Sequence, residues 1–327
     1  MNQMKHKTTT KIGVIIVNYN SLEHLEQCIA AICAQVTPFD KIVVIDNGDN
    51  NIYSKFTWPM NSQYIQVGYN SGFAKANNIA LHNMKDCQWV ALINPDVYLD
   101  EDWLKCMNNA RREYPQMKSF SSRLLMANDT SKVDGLGDNY HISGLAWRHA
   151  HGKRWRGAVE KEVFSACAAA AMYQYDALME VGGFDESFFC YFEDVDLGFR
   201  LRLAGNRCLL VPTAIAHHFG YVSSGGRHSD FAIYYGHRNM VWTYVKNMPG
   251  ILFWIFLPYH ISLNLFSILW FLIQGKSKIL LKAKFDAIKS LDKMWFKRGR
   301  VQKQRKTPIS KILRIIDKRL VPKYFSK

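Results

Sequence analysis

Short apolar runs in the first hundred residues each stop at an asparagine or an aspartate. Residues 12–17 (IGVIIV) are β-branched and do not alternate with polar residues, the pattern of a strand buried on both faces in a parallel sheet. Asn18-Tyr19-Asn20 follows as a turn, and Ser21 is placed to cap a helix carrying Leu22, Leu25, Ile29 and Ile32 at helical spacing. A second buried strand, 42–45, ends at Asp46-Asn47-Gly48. A strand near 64–67 leads through the glycines at 68 and 72 into a helix over 73–84, and a further strand, 89–93, ends at Asn94-Pro95-Asp96. Alternation of strand and helix predicts a parallel α/β sheet. Such sheets bind ligands at the carboxyl ends of their strands, where Asn18, Asp46 and Asp96 fall.

The second half is less periodic. Residues 127–160, rich in Gly, His, Trp and Arg, read as a long loop; 163–172 is an alanine-rich strand. Asp176 caps a short helix that ends at Gly182-Gly183, 193–203 form a helix ending at Gly205, and 208–211 form another strand. Residues 251–273 carry no Asp, Glu, Lys or Arg. That length suffices for a bilayer span of ~20 residues. Pro258, His260, Asn264 and Gln274 interrupt it, so an in-plane or re-entrant helical hairpin fits equally. Basic amphipathic segments follow, with Leu281, Phe285, Ile288 and Trp295 on one face, then Ile309, Ile312, Ile316 and Leu320.

With 327 residues, 48% of them hydrophobic, the chain can bury a large core. Seven cysteines without a CxxC pair exclude a disulfide scaffold or structural zinc site, and a reducing compartment is expected. No apolar signal core follows the polar, basic N-terminus, so a cytoplasmic protein is expected. Residues 276–327 hold 18 Lys/Arg against three Asp/Glu, which accounts for the whole net charge of +15. The partner of that charge belongs at the C-terminus. Nucleic acid is one class of partner. The apolar residues interleaved with the lysines, and the charge-free run beside them, point instead to an anionic membrane surface.

The densest chemistry lies at Phe188-Phe189-Cys190-Tyr191-Phe192-Glu193-Asp194-Val195-Asp196. Three carboxylates in four positions repel unless a cation, a proton or water compensates. Helix-dipole complementarity explains one or two of them, but not the aromatic wall, which raises a carboxyl pKa and suits a general base. Asp96, just past a strand end, is placed to meet a divalent cation on a diphosphate, or to cap a helix. His217-His218 follow a strand and offer a third ligand. The spacing of Gly68 and Gly72 excludes a dinucleotide-binding fingerprint.

The ordered series VIIVNYNS (14–21), IVVIDNG (42–48), NSGFAKANN (70–78), LINPDV (92–97), VGGFDESFFCYFEDVDLGFRLRLAG (181–205), AHH (216–218) and RN (238–239) resembles the inverting glycosyltransferases of family 2, of GT-A fold. It is most similar to their rhamnosyltransferase-like branch in bacterial surface polysaccharide synthesis. The likeness spans about residues 12–245.

The resemblance implies a Rossmann-like mixed α/β sheet, with a GT-A catalytic domain over 1–248 and a membrane-associating helical region over 249–327. It implies nucleotide-sugar contacts from Asn18, Asn20, Asp46, Asn70, Gly72, Asn78 and Asn94, a divalent metal (Mg or Mn) on Asp96 and His217, with His218 the other candidate of that pair, and catalysis by Asp194 with Glu193 beside it. The family's acidic DxD stands here as Asn94-Pro95-Asp96, which leaves fewer charged metal ligands. Trp147, Arg154, Trp155 and Arg238 are the expected acceptor contacts. The implied reaction moves a sugar, rhamnose from dTDP-rhamnose, to a polyprenyl-diphosphate-linked saccharide at the cytoplasmic face of a bacterial inner membrane. UDP-galactofuranose or a UDP-hexose is the alternative donor. A non-catalytic glycan-binding relic of the same fold is the alternative class.

Overall fold

A computed structural model describes residues 10–48, 51–157, 159–220 and 229–322. Its strands are β1 (Ile12–Asn18), β2 (Lys41–Asp46), β3 (Ser62–Gln66), β4 (Trp89–Ile93), β5 (Val97–Leu99), β6 (Met117–Met126), β7 (Asp129–Gly135), β8 (Asp138–Tyr140), β9 (Ala146–Arg148), β10 (Lys161–Val163), β11 (Ala170–Gln174) and β12 (Arg207–His218). Its helices are α1 (Leu22–Cys33), α2 (Phe73–His82), α3 (Trp103–Glu113), α4 (Tyr175–Glu180), α5 (Glu193–Leu203), α6 (Asp230–Asn247), α7 (Gly250–Ile273), α8 (Ser277–Lys289), α9 (Leu291–Lys303) and α10 (Ile309–Ile315).

The main sheet runs β10-β12-β6-β11-β4-β1-β2-β3, with β5 on β12 and β7 on β6. Its β4-β1-β2-β3 half is parallel, as the non-alternating apolar runs require, and β1 is buried at every position. β11 enters antiparallel between β4 and β6, which makes the sheet mixed. Helices cover both faces and divide the core in two: α1 and α3 lie over one face, α2, α4 and α5 over the other.

Four sequence expectations need correction. Asp176 is the second residue of α4 and not its cap, a position held by Gln174. Residues 127–160 are not one loop. β7 pairs with β6, and β8 pairs with β9 as a hairpin whose register sets Asp138 opposite Arg148. The 163–172 strand is two strands, broken over 164–169, where the chain turns beneath the site. Ser21 does not cap α1; its hydroxyl donates to the Tyr19 carbonyl at 3.0 Å.

A third apolar core joins the two halves of the chain. Phe188, Val195, Phe199 and Leu203 pack with Trp242 and Tyr244 of α6 and with Ala287, Met294, Val301 and Ile312 of α8–α10. The expected boundary at 248/249 therefore separates no independent core. The basic C-terminal helices are built onto the helix bearing the EDVD sequence. α7 turns only a thin stripe inward, at Leu252, Phe253, His260 and Ser267, and leaves Trp254, Leu265, Leu269 and Trp270 exposed.

Candidate active site

The carboxyl ends of β1, β2 and β4 open onto a cavity of about 580 Å³. Its wall includes Tyr19, Asn47, Asn70, Gly72, Asn94 and Asp96 on the parallel side. Asp138, Trp147, Arg148 and His218 lie opposite, and Phe189, Tyr191, Phe192, Glu193 and Asp194 close one end.

The parallel side begins with a paired strand end. Asn18 and Asp46 are in register; the Asn18 amide donates to Asp46 Oδ1 at 3.4 Å, and Tyr64 Oη donates to Asp46 Oδ2 at 2.6 Å. Asn18, Asn20 and Asp46 stand behind the lining rather than in it. Asn47 was not singled out from sequence, yet it organises the next loop. Its Oδ1 accepts from the Ser71 amide and hydroxyl, and its amide donates to Asn70 Oδ1 at 3.2 Å. Gly72, at φ +83°, lies so close to Phe189 that a Cβ would fall 2.5 Å from the ring. Asn78 does not reach the cavity: its amide donates to the Phe184 carbonyl, and its Oδ1 accepts from the Phe184 amide. It ties α2 to the GGFDE turn instead.

Asp96 is buried at the end of β4, and β5 pairs with β12 so that His218 comes beside it. His218 Nε2 lies 3.5 Å from Asp96 Oδ2, and its Nδ1 is 2.7 Å from Asp134 Oδ2. The Arg148 guanidinium donates to Asp134 as well. Burial alone would raise both carboxyls. The His218 hydrogen bond holds Asp96 below the usual range, and Arg148 and the two histidines at 151 and 218 hold Asp134 far below it. His218 stays above the ordinary imidazole value because Asp134 and Asp96 outweigh its burial.

His217 is corrected as a ligand. Successive residues of a strand point to opposite faces, and His217 points away from the cavity to Asp100, 2.8 Å from Nε2. The cavity-facing member of the pair is His218. Among the described residues no three His, Cys, Asp or Glu side chains cluster as a complete metal site.

The EDVD carboxylates part ways at the start of α5. Asp194 faces the cavity, its Oδ2 accepting from the Ala168 amide at 3.3 Å and its Oδ1 from the Val195 amide at 2.8 Å. Burial raises its pKa, and the amides oppose the shift. Glu193 is buried with Oε2 lacking a hydrogen-bond partner; burial and the Asp194 charge keep it well above the usual range. Asp196 points into the protein, ion-paired with Arg200 at 2.8 Å and Lys246 at 2.7 Å.

The loop entering α5 is strained. Phe189, Tyr191 and Phe192 all have φ of +66°, unusual for residues with a Cβ. Phe189 (φ 66°, ψ −69°) centres a tight turn in which the Cys190 amide donates to the Phe188 carbonyl at 2.8 Å, a rare and strained geometry. The RN pair of α6 holds it. The Asn239 amide donates to the carbonyls of Phe188, Cys190 and Tyr191, and Arg238 donates to those of Ser187 and Phe188. Arg238, stacked over Trp242 at 4.1 Å, is thus a structural clamp and not an acceptor contact. Arg154 and Trp155 also lie off the cavity: Arg154 bridges to Lys132 beside β7, and Trp155 stacks on Arg123 at 4.4 Å. Of the expected acceptor residues, Trp147 alone lines the pocket.

The residues missed from sequence are Asn47, Asp134 and Asp138. Asp134 and Asp138 sit in the segment read as a loop; the β6–β7 pairing places the first and the β8–β9 hairpin the second.

The family profile for glycosyl transferase family 2 matches residues 13–117. The chain is 26% identical over 227 residues to the rhamnosyltransferase WbbL of Escherichia coli K12, covering 64% of this chain and 84% of WbbL. It is 25% identical over 236 residues to the N-acetylglucosaminyl-diphospho-decaprenol L-rhamnosyltransferase of Mycobacterium tuberculosis, covering 64% and 76%. Among solved structures it is similar to GalNAc-T7 with UDP, GalNAc and Mn2+ (TM-score 0.59, 14% identity, 72% of this chain and 48% of that one). It is also similar to residues 1–349 of S. aureus TarS (TM-score 0.52, 16% identity, 90% of each). The strand order, the carboxylates gathered at the strand ends and these relatives agree on a glycosyltransferase with a GT-A-like fold, which carries a glycosyl transferase family 2 domain over residues 13–117.

Proposed function

We propose that the chain is an inverting rhamnosyltransferase that takes its sugar from dTDP-rhamnose and delivers it to a polyprenyl-diphosphate-linked saccharide. The observation that carries the reading is Asp194: a half-buried carboxylate, fixed by two backbone amides, in a cavity that Asp96 and His218 also line. Asp194 takes the proton of the acceptor hydroxyl as that oxygen attacks the anomeric carbon. Attack on the side opposite the departing diphosphate inverts the centre. Phe189, Tyr191 and Trp147 offer ring faces on which an acceptor sugar stacks. The nucleotide lies along the strand-end side, with Asp46 and Asn18 setting the shape behind Asn47 and Tyr19. Asn94 Oδ1, buried and without a partner, offers a donor hydroxyl an acceptor.

The residues fit a divalent cation. Asp96 Oδ2 and His218 Nε2 face each other at 3.5 Å, a spacing one ion with bonds of ~2.1 Å spans at a bent angle. Asp134 on Nδ1 fixes the tautomer that leaves the Nε2 lone pair free for it. Bound there, Mg or Mn would neutralise charge on the leaving diphosphate. With two protein ligands, the diphosphate and water must complete its coordination.

The membrane side rests on α7. Its 24 residues are long and apolar enough to cross a bilayer. Its inward stripe runs from Leu252 to Ser267, and Asn264 Oδ1 accepts from the buried Lys284 of α8. A helix docked over that length to the catalytic body lies along the surface. We therefore place α7 in the plane of the cytoplasmic leaflet, with lysines of α8 and α9 towards anionic headgroups.

The test is a donor panel: dTDP-rhamnose, UDP-galactofuranose and UDP-hexoses, with Mg2+ or Mn2+ and a polyprenyl-diphosphate-linked GlcNAc acceptor. Transfer from dTDP-rhamnose with an inverted anomeric product, lost in Asp96→Ala, supports the reading. Transfer from another donor replaces the sugar, and retained configuration overturns the mechanism.

A further inference from the structure

We propose that Asp138 is a positioning residue for the reaction: it stands beside Asp194 as an un-ionised carboxylic acid and keeps the base ionised and aimed. The proposal rests on the reading of Asp194 as the base. Nothing in the sequence marked Asp138, since it lies in the stretch that reads as a loop.

The two carboxyls hang from one short segment, residues 165–168. The Asp138 amide donates to the Ser165 carbonyl at 2.9 Å, and Ser165 Oγ donates to Asp138 Oδ2 at 3.0 Å. Three residues on, the Ala168 amide donates to Asp194 Oδ2. The spacing between that segment and α5 is set by Gly198, where a Cβ would fall 2.2 Å from Ser165 Cβ. Both carboxyls line the same cavity.

Two neighbouring carboxylates that share one largely enclosed site resist ionising together. Their partners decide which one keeps the proton. Asp194 accepts from two backbone amides, which favour its anion. Asp138 accepts from a single hydroxyl, which leaves Oδ1 for a proton. The other groups around Asp138 do not change that choice. Arg148, opposite on β9, directs its guanidinium to Asp134 of β7. Cys167, Tyr173 and Cys208, near enough to feel its charge, are buried groups whose pKa values are raised, so they stay neutral. Burial first, and then the charge on Asp194, push the Asp138 carboxyl up to about 8. Through a turnover near neutral pH the acceptor's proton passes to Asp194 and the Asp138 proton stays in place. Above that range Asp138 ionises. A second negative charge then faces both the base and the incoming diphosphate.

The experiment compares wild type, Asp138→Ala, Asp138→Asn and Asp194→Asn as full-length protein, with kcat and donor KM measured from pH 6 to 9.5. Asp138→Ala is expected to lose at least tenfold in kcat at pH 7, and Asp138→Asn, neutral and of the same shape, to restore most of it. In wild type the donor KM is expected to rise as the pH passes through about 8, where the Asp138 carboxyl ionises; in Asp138→Asn that rise should be absent. A second readout needs no activity. The urea midpoint of wild type should fall relative to Asp138→Asn between pH 7 and 9. An Asp138→Asn enzyme as slow as Asp194→Asn at pH 7 would mean that Asp138 works as an anion, which overturns the proposal. So would a KM rise that persists in Asp138→Asn. Undiminished turnover in Asp194→Asn would remove the base assignment itself, and that result is separate from either Asp138 outcome.

Discussion

Replacing Asn239 with alanine tests whether the aromatic loop before α5 is held in a conformation it would not adopt alone. One buried side-chain amide makes three contacts of 2.7–2.9 Å, to the carbonyls of Phe188, Cys190 and Tyr191. Arg238 still serves Phe188 in the variant, but the Cys190 and Tyr191 carbonyls lose this donor. A buried carbonyl deprived of its donor costs about 1–3 kcal/mol, so an unmoved loop would cost about 2–6 kcal/mol. The three residues at φ +66° store strain of order 1–3 kcal/mol each, so a loop that lets go recovers about 3–9 kcal/mol. Relaxation is therefore favoured, and it caps the loss of global stability near the lower figure, about 2 kcal/mol. Phe189 and Tyr191 then leave the cavity wall and Asp194 loses its register. We expect a modest fall in the urea midpoint, retained donor binding, and turnover with a lipid-linked acceptor reduced more than a hundredfold. Turnover within threefold of wild type would refute the reasoning. So would a loss of turnover no larger than the loss of folded protein.

Four further outcomes are expected. Asp194→Asn should bind donor normally by titration calorimetry and lose turnover; retained turnover would remove the base assignment. Asp196→Ala leaves Lys246 and Arg200 buried with one partner fewer, and should cost about 3–5 kcal/mol in chemical denaturation; a cost below 1 kcal/mol would contradict the structural role. Glu193 has its folded pKa raised, so its contribution to stability is complete below the usual carboxylate range and is lost as the pH climbs to the raised value. Glu193→Gln should therefore gain stability over wild type as the pH rises, and parallel pH profiles would count against the buried, unpartnered acid. Replacing the exposed Trp254, Leu265, Leu269 and Phe285 by serine should leave the melting temperature unchanged and abolish flotation with anionic vesicles; unchanged flotation would move the docking surface elsewhere.

The parallel half of the sheet was legible because burial on both faces leaves an unmistakable mark: 12–17, 42–45 and 89–93 match β1, β2 and β4 within two residues. The antiparallel half was not. β7 is mostly polar and β8 and β9 are three residues each, too short to show a period, and their pairing is set by tertiary contacts that no local pattern records. The same division runs through the site. Asp96 and Asp194 stand at a strand end and a helix start, which a sequence displays. Asp138 reaches the cavity, and Asp134 reaches His218 behind it, only through strand pairings that no local pattern shows. Between His217 and His218 the choice depended on strand phase, and the pairing of β12 with β5 and β6 supplied it.

The RN pair shows what residue type alone misses. An arginine on an aromatic helix beside a sugar cavity suggests contact with a phosphate, and the structure spends it on backbone carbonyls. That assignment ties the two ends of the chain together. α6 carries Arg238 and Asn239, which hold the aromatic loop at 188–192, and Lys246, which pairs with Asp185 and Asp196 on either side of that loop. Lys297 of α9 reaches the same Asp185 and also Ser187. α8 packs on α6, with Trp242 Nε1 donating to the Ala287 carbonyl at 3.3 Å. The loop that shapes the acceptor side is thus braced by the helices whose far face carries exposed apolar and basic residues. An acceptor anchored in a bilayer needs its sugar presented at a fixed height above the membrane. Under the proposed docking of these helices on a membrane, a loop mounted on them meets that requirement, and one mounted on the sheet alone would not. Asn239→Ala should for this reason slow transfer to the lipid-linked acceptor more than slow hydrolysis of the donor by water, which needs neither the loop nor the membrane.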